Sequence, residues 1–238
     1  MITYNPNYTG WLGNQMFQYA AVKAFGLRHG IPSFFPSKSP NLLDIFKMNR
    51  PQFIEDEYFS YIEPFFHYQE IPLISNNMIF FGYFQSEKYF KDYENVIRED
   101  FSFKNPTSIK VAPDTTAIHV RRGDYLNLDA HPVCPIDYFM EGMSMFKENN
   151  FLIFSDDIAW CKEAFKGDKI SFSEGNVPEV DLELMTKCDS HIISNSSFSW
   201  WGAWLAKGSG TVVAPKDWFE EATKYETKDL YCEGWVVI

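Results

Sequence analysis

From about residue 115 onward, short runs rich in apolar and β-branched residues alternate with segments of helical periodicity. Thr116–Val120, Phe151–Phe154, Lys169–Phe172, His191–Ile193 and Thr211–Ala214 are predicted strands. Ile136–Lys147, Ile158–Phe165, Glu179–Lys187 and Phe198–Lys207 are the predicted helices between them. Strict alternation of strand and helix predicts parallel pairing, right-handed crossovers and a doubly wound sheet. In such a sheet ligands bind beyond the carboxyl ends of the strands, so that is where chemistry is sought.

The first half is less regular. Asn14–His29 carries apolar residues at 16, 17, 20, 24 and 27, a helical spacing that Gly30-Ile31-Pro32 stops. Met78–Phe84 is a predicted strand, and Ser86–Tyr93 a predicted helix capped by Ser86. Residues 32–75 are rich in Pro, Phe and Tyr and receive no assignment. The stretch Ser102–Asp114, with Pro106 and Pro113, is the expected linker. Cutting there gives two α/β lobes, residues 1–112 and 113–238, with a cleft expected between them.

Composition narrows the class. The chain has 238 residues, 45% apolar and 22% charged, which excludes a disordered chain, a collagen and a coiled coil. The apolar run Met78–Phe84 is far shorter than a bilayer span, so no transmembrane segment is expected. The first thirty residues show no signal-peptide pattern. Cys134, Cys161, Cys188 and Cys232 lack C-x-x-C spacing and are expected to be reduced thiols in a cytoplasmic compartment. The five histidines are scattered, so no zinc site is expected. A net charge of −11 argues against nucleic acid and anionic membranes as partners.

The charge is uneven in a way that points to a site. Ten basic and 11 acidic groups precede residue 113, whereas 11 and 21 follow it. Arginine occurs only at Arg28, Arg50, Arg98, Arg121 and Arg122, so the acidic half holds two, side by side. They lie in His119-Val120-Arg121-Arg122-Gly123-Asp124-Tyr125, at the carboxyl end of a predicted strand. Adjacent guanidiniums call for a shared anion, and their fork matches phosphate oxygens. The alternative is a structural network with Asp124 and other acids.

Three further polar clusters fall where strands meet helices. Gly10-Trp11-Leu12-Gly13-Asn14-Gln15 opens a helix, where backbone N–H groups favour an anion or a sugar hydroxyl, although Asn14 as a simple cap is the alternative. Ser194-Asn195-Ser196-Ser197 leads into a tryptophan-rich helix and forms a second candidate anion cradle. Trp201 and Trp204 are expected in the core rather than against a base, and Trp200 is not assigned. Ser155-Asp156-Asp157 offers carboxylates, either as ordinary helix-start residues or as acceptors for a purine. Neither G-x-x-x-x-G-K-[ST] nor G-x-G-x-x-G occurs, so a nucleotide diphosphate would be held without a P-loop.

The segments GWLGNQMFQYA, FGYFQSEKYF, HVRRGDY, FSDDIAWCK, DLELMTKCDSHIISNSSFSWWGAWL and VVAPKDWF stand in the order found in the α-1,2-fucosyltransferases of glycosyltransferase family 11, which the chain resembles over about residues 10–219. The resemblance implies a GT-B-like fold of two Rossmann-like lobes. It implies inverting, metal-independent transfer of L-fucose from GDP-L-fucose to the 2-hydroxyl of a terminal galactose, the acceptor glycan. It places Arg121 on the donor β-phosphate with Arg122 bracing it. It places His119 and Asp156 or Asp157 near guanine, and Asn195, Ser196 and Ser197 in the phosphate cradle with Phe198 beside them. It turns Asn14 and Gln15 toward the donor sugar or acceptor. Asp124 is the candidate general base, although its arginine neighbours favour an ion pair over proton acceptance. Trp11 stands where the family motif usually has a glycine, and Met1–Thr9, with Pro6, is polar where the family has an apolar strand. Alternatives are a fucosyltransferase of other linkage or acceptor, and a catalytically silent nucleotide-sugar or glycan-binding module.

Overall fold

The computed structural model describes residues 1–5, 10–35, 40–48, 57–208 and 210–238; Pro6 and Arg50 lie outside them. The chain forms two compact units, Met1–Asn105 with Tyr225–Cys232, and Pro106–Lys224 with Glu233–Ile238. The cut expected after residue 112 left residues 106–112 and 225–232 on the other side of this division.

The first unit contains β1 (Ile2–Tyr4), α1 (Leu12–His29), α2 (Pro40–Ile45), β2 (Phe59–Ile62), β3 (Met78–Phe81) and α3 (Glu94–Asp100). Its sheet is parallel, in the order β1-β3-β2. β1 forms within the segment Met1–Thr9, which reads from the sequence as polar where the family has an apolar strand. Ile2, Thr3 and Tyr4 are all buried, and the register pairs Ile2 with Met78. α1 starts two residues earlier than predicted and stops at Gly30, whose left-handed φ of 66° suits glycine. Aromatic packing fills the interior: Tyr19 against Phe35, Phe25 against Phe80, and Phe46 against Phe101, at ring separations of 4.1, 5.2 and 5.0 Å. Ser86 caps as expected, accepting from the Lys88 N–H, but the helix predicted over 86–93 is two 3-10 turns. Phe90 is wholly buried with φ −137° and ψ 5°, and this non-helical residue separates the two turns from each other.

The second unit follows the predicted alternation. It contains β4 (Thr115–Val120), α4 (Ile136–Ser144), β5 (Asn150–Ser155), α5 (Ile158–Ala164), β6 (Ile170–Phe172), α6 (Pro178–Thr186), β7 (Ser190–Ile192), α7 (Ser197–Leu205), β8 (Val212–Ala214) and β9 (Val236–Val237). Every pair in its six-stranded sheet is parallel, and the order is β6-β5-β4-β7-β8-β9. Side chains alternate across the sheet as period two requires. Ile118, Val120 and Ile153 pack with Tyr138 and Phe139 of α4, whereas Ala117 and Phe154 pack with Leu184 and Met185 of α6. Both faces are therefore covered, as expected of a parallel sheet. Two α/β units with parallel sheets make this a GT-B-like fold of Rossmann-like lobes. The strand order reverses between β4 and β7, and the carboxyl ends flanking such a switch point are where doubly wound sheets bind ligands.

Candidate active site

β4 delivers Arg121 and Arg122 at its carboxyl end. The parallel register sets Val120 beside Ser155, so the next residues of the two strands meet. Arg121 pairs through Nη1 with Asp156 at 2.8 Å and through Nη2 with Asp124 at 2.7 Å. Arg122 Nε lies 3.3 Å from Asp157, and its backbone N–H donates to Asp156 Oδ1 at 2.9 Å. The structural network weighed from the sequence is present, and it organises both arginines at the switch point. A guanidinium has five N–H donors, and the two ion pairs of Arg121 use one on each terminal nitrogen. Further N–H donors remain on the same guanidinium.

Aromatic faces orient the same cations. The Arg121 guanidinium carbon lies 5.3 Å from the Tyr125 ring centroid, and that of Arg122 lies 4.1 Å from the Trp160 ring. The Tyr125 ring stacks on His131 at 4.7 Å, and its hydroxyl donates to the Asn195 carbonyl at 3.2 Å. Tyr125 thus ties the arginine segment to the loop after β7. Sequence reasoning missed Tyr125, His131 and Trp160. For Trp160 the available signal was its place on the first turn of a helix capped by Asp157, which accepts its N–H at 3.1 Å.

The serine segment sits across the switch point. Ser196 caps α7, its hydroxyl accepting from the Phe198 N–H, and Ser197 and Phe198 are half-buried on the first turn. A helix start of this kind presents N–H groups and the positive end of the dipole. Asn195 is buried with its amide turned away: Nδ2 donates to the carbonyls of Pro132 and Trp218 at 2.8 and 3.1 Å. It fixes the cradle from beneath. Trp200, Trp201 and Trp204 are buried, so Trp200, unassigned from the sequence, joins the other two in the core.

His119 is also buried beneath the site. Its Nδ1 lies 2.7 Å from Ser194 Oγ, bridging β4 to the loop after β7, and its ring lies 5.5 Å from that of Phe198. Burial is the main cause that depresses its pKa to about 3, and burial likewise takes His191 down to about 4. Both imidazoles are neutral in the fold, whereas the unfolded chain protonates them below about 6.5. The unfolded state therefore binds more protons below that pH. Stability is full above about 6.5 and falls as the pH drops toward 4. His119→Asn is expected to flatten the fall of Tm with pH between 6.5 and 4; an unchanged slope would show that His119 is already charged in the native state.

Asn14 and Gln15 lie in the first unit, on the first turn of α1. The helix is capped by Trp11, which is 77% exposed and makes no side-chain cap bond, so the capping role considered for Asn14 is not the one it has. Asn14 Oδ1 accepts from Gln85 Nε2 at 2.8 Å, and the buried Gln15 donates to the Gly10 carbonyl at 3.2 Å. Among the described residues no three of His, Cys, Asp and Glu converge as a metal site, and no helix is long and apolar enough to cross a membrane.

Comparison with known sequences bears on this geometry. The chain is 39% identical to an alpha-1,2-colitosyltransferase of Escherichia coli, over 67% of this chain and 62% of that protein. It is 30% identical to WbnK, an O-antigen biosynthesis glycosyltransferase of Escherichia coli, over 68% of this chain and 61% of that protein. It is 27% identical to the galactoside alpha-(1,2)-fucosyltransferase 2 of Rattus norvegicus, over 87% of this chain and 68% of that protein. The chain thus spans about three fifths of the length of the two bacterial relatives. The sequence model of glycosyl transferase family 11 matches residues 43–238, and the chain belongs to that family.

Proposed function

We propose that the protein is an inverting glycosyltransferase that moves L-fucose from GDP-L-fucose to the 2-hydroxyl of a terminal galactose. The observation that carries this reading is the arginine pair at the switch point, facing the serine-capped start of α7 across the strand reversal. Arg121 takes the β-phosphate, and Arg122, steadied by Trp160, shares its charge. The acceptor hydroxyl attacks the anomeric carbon from the side opposite GDP, through an oxocarbenium-like transition state. Negative charge grows on the departing phosphate, where fixed N–H donors stabilise it most. Transfer needs no metal on this reading, so EDTA leaves the rate unchanged. Asp124, already bonded to Arg121, serves better as an orienting partner than as the base.

A second donor is favoured by one comparison. The relative at 39% identity carries the name of a colitosyltransferase, and colitose differs from L-fucose by lacking one hydroxyl. Competition between GDP-L-fucose and GDP-colitose, with a β-galactoside as acceptor, separates the two. Fucose transfer at the higher kcat/KM supports the proposal. A preference for colitose, on the order of 10²-fold because a pocket only weakly rejects an added hydroxyl, would reassign the donor while keeping the chemistry.

A further inference from the structure

Glu63 is the first residue beyond the carboxyl end of β2, and its side chain turns onto the backbone that leaves β3. The carboxylate accepts the Tyr83 N–H at 2.8 Å and the Phe84 N–H at 3.1 Å. The Glu63 N–H donates in turn to the Phe81 carbonyl at 2.8 Å. Gly82 leaves room for this approach, because a Cβ there would overlap the Glu63 side chain. Phe84 is wholly buried with φ 54°, a left-handed conformation that costs a bulky residue energy and persists only where its surroundings hold it.

The turn is clamped on its other side by α1. Gln18 Nε2 donates to the Gly82 carbonyl at 2.8 Å in a buried bond, and Gln85 Nε2 donates to Asn14 Oδ1 at 2.8 Å. One carboxylate therefore fixes a strained turn whose last residue orients Asn14. The ionisable groups facing Glu63 are Tyr61 on β2 and Tyr89 on the first 3-10 turn, with Tyr68 beside them. None of them is a cation, and burial raises the Glu63 carboxyl to about 7 against the lowering effect of the two N–H bonds.

We propose that Glu63 is a positioning residue that sets acceptor affinity: ionised, it holds the Gly82–Gln85 turn and, through Gln85, the Asn14 side chain. This rests on the proposed function, taken one step further: the second unit, with Arg121 and α7, holds the donor, and the first, with Asn14, takes the galactose acceptor. Protonation weakens the clamp, because bonds to a charged acceptor are about twice as strong as neutral ones. Affinity for acceptor then falls as the pH drops through neutrality, while donor binding, carried by the second unit, does not follow it.

The test uses the full chain as wild type, Glu63→Gln, Glu63→Ala and Gln85→Ala. Steady-state transfer is measured between pH 6 and 8.5, with amide exchange of Tyr83 and Phe84 over the same range, corrected for intrinsic rates. In wild type, acceptor KM is expected to rise on the order of tenfold from pH 8 to 6, as one proton linked to a site near neutrality requires. Glu63→Gln should give a high KM that no longer varies with pH. Glu63→Ala should raise it further, and the glutamine variant should restore part of the loss. Gln85→Ala should raise acceptor KM and flatten its pH dependence, and donor KM should hold in all four. Amide protection independent of pH in wild type would overturn the proposal, as would an acceptor KM in Glu63→Gln that tracks wild type. If no galactoside is fucosylated at all, the parent reading fails and the acceptor role goes with it, while the exchange data still decide whether Glu63 holds the turn.

Discussion

Arg121→Ala is expected to lower kcat by about 10² or more, the scale seen when one preorganised donor to a developing oxyanion is lost. The side chain is at the switch point and is held by Asp124, Asp156 and the face of Tyr125. Its removal takes away a positive charge and leaves two carboxylates without that partner, where, on the proposed mechanism, phosphate negative charge builds up. GDP-sugar affinity should fall as well, but less than kcat, because charge on the leaving phosphate is greatest in the transition state. Arg121→Lys should fall between, since it keeps the charge and loses the planar fork. Arg122→Ala should cost less, with the larger part of its loss in KM, because its guanidinium is engaged by Asp157 and Trp160. Initial-rate kinetics with donor and acceptor varied separately checks all three. A near-normal kcat for Arg121→Ala would remove it from the chemistry.

Trp200→Ala is expected to destabilise the protein by about 3–5 kcal/mol, the usual range for deleting a large buried aromatic. Trp200 has no exposed surface, and its ring packs against Trp201 at 5.0 Å, Trp235 at 5.5 Å and Trp204 at 6.2 Å. A typical domain is stable by about 5–15 kcal/mol, so this single change removes a large share. It also loosens α7, and on the proposed reading, in which the first turn of that helix cradles the donor phosphate, it weakens GDP binding indirectly. Urea unfolding measures the effect through the midpoint at constant slope. Unchanged stability with lost nucleotide binding would instead place the indole against a ligand.

The second unit was legible because its strands are short, β-branched and regularly separated by helical periods. The six-stranded order was not, since nothing local in the chain says that β4 lies between β5 and β7. That order is what brings two distant segments, residues 121–122 and 194–197, together as parts of one candidate site. Asp124 was anticipated as a partner of the arginines, but Asp156 and Asp157 were not singled out as such: they follow from the register that sets Val120 against Ser155. In the first unit, β1 escaped notice because three buried residues are flanked by polar ones. β2 escaped because Phe59, Ser60 and Ile62 face outward at the sheet edge and break the alternation that marks a half-buried strand. Asn195 was chosen for its company in Ser-Asn-Ser-Ser, yet its amide serves the carbonyls below it. Residue type announced a polar loop, and only the fold decided which side chains face outward.

The central claim is acceptor-dependent transfer from a GDP-sugar by a site built on Arg121. It is tested most directly by incubating the purified protein with GDP-L-fucose, a panel of β-galactosides and EDTA, then following GDP release and determining the product by NMR. The account predicts GDP release that requires the galactoside and continues in EDTA. It predicts a fucosyl group on O2 of galactose with anomeric configuration opposite to that of the donor. Binding of GDP-L-fucose without release to any galactoside, or a product that keeps the donor's configuration, would contradict it.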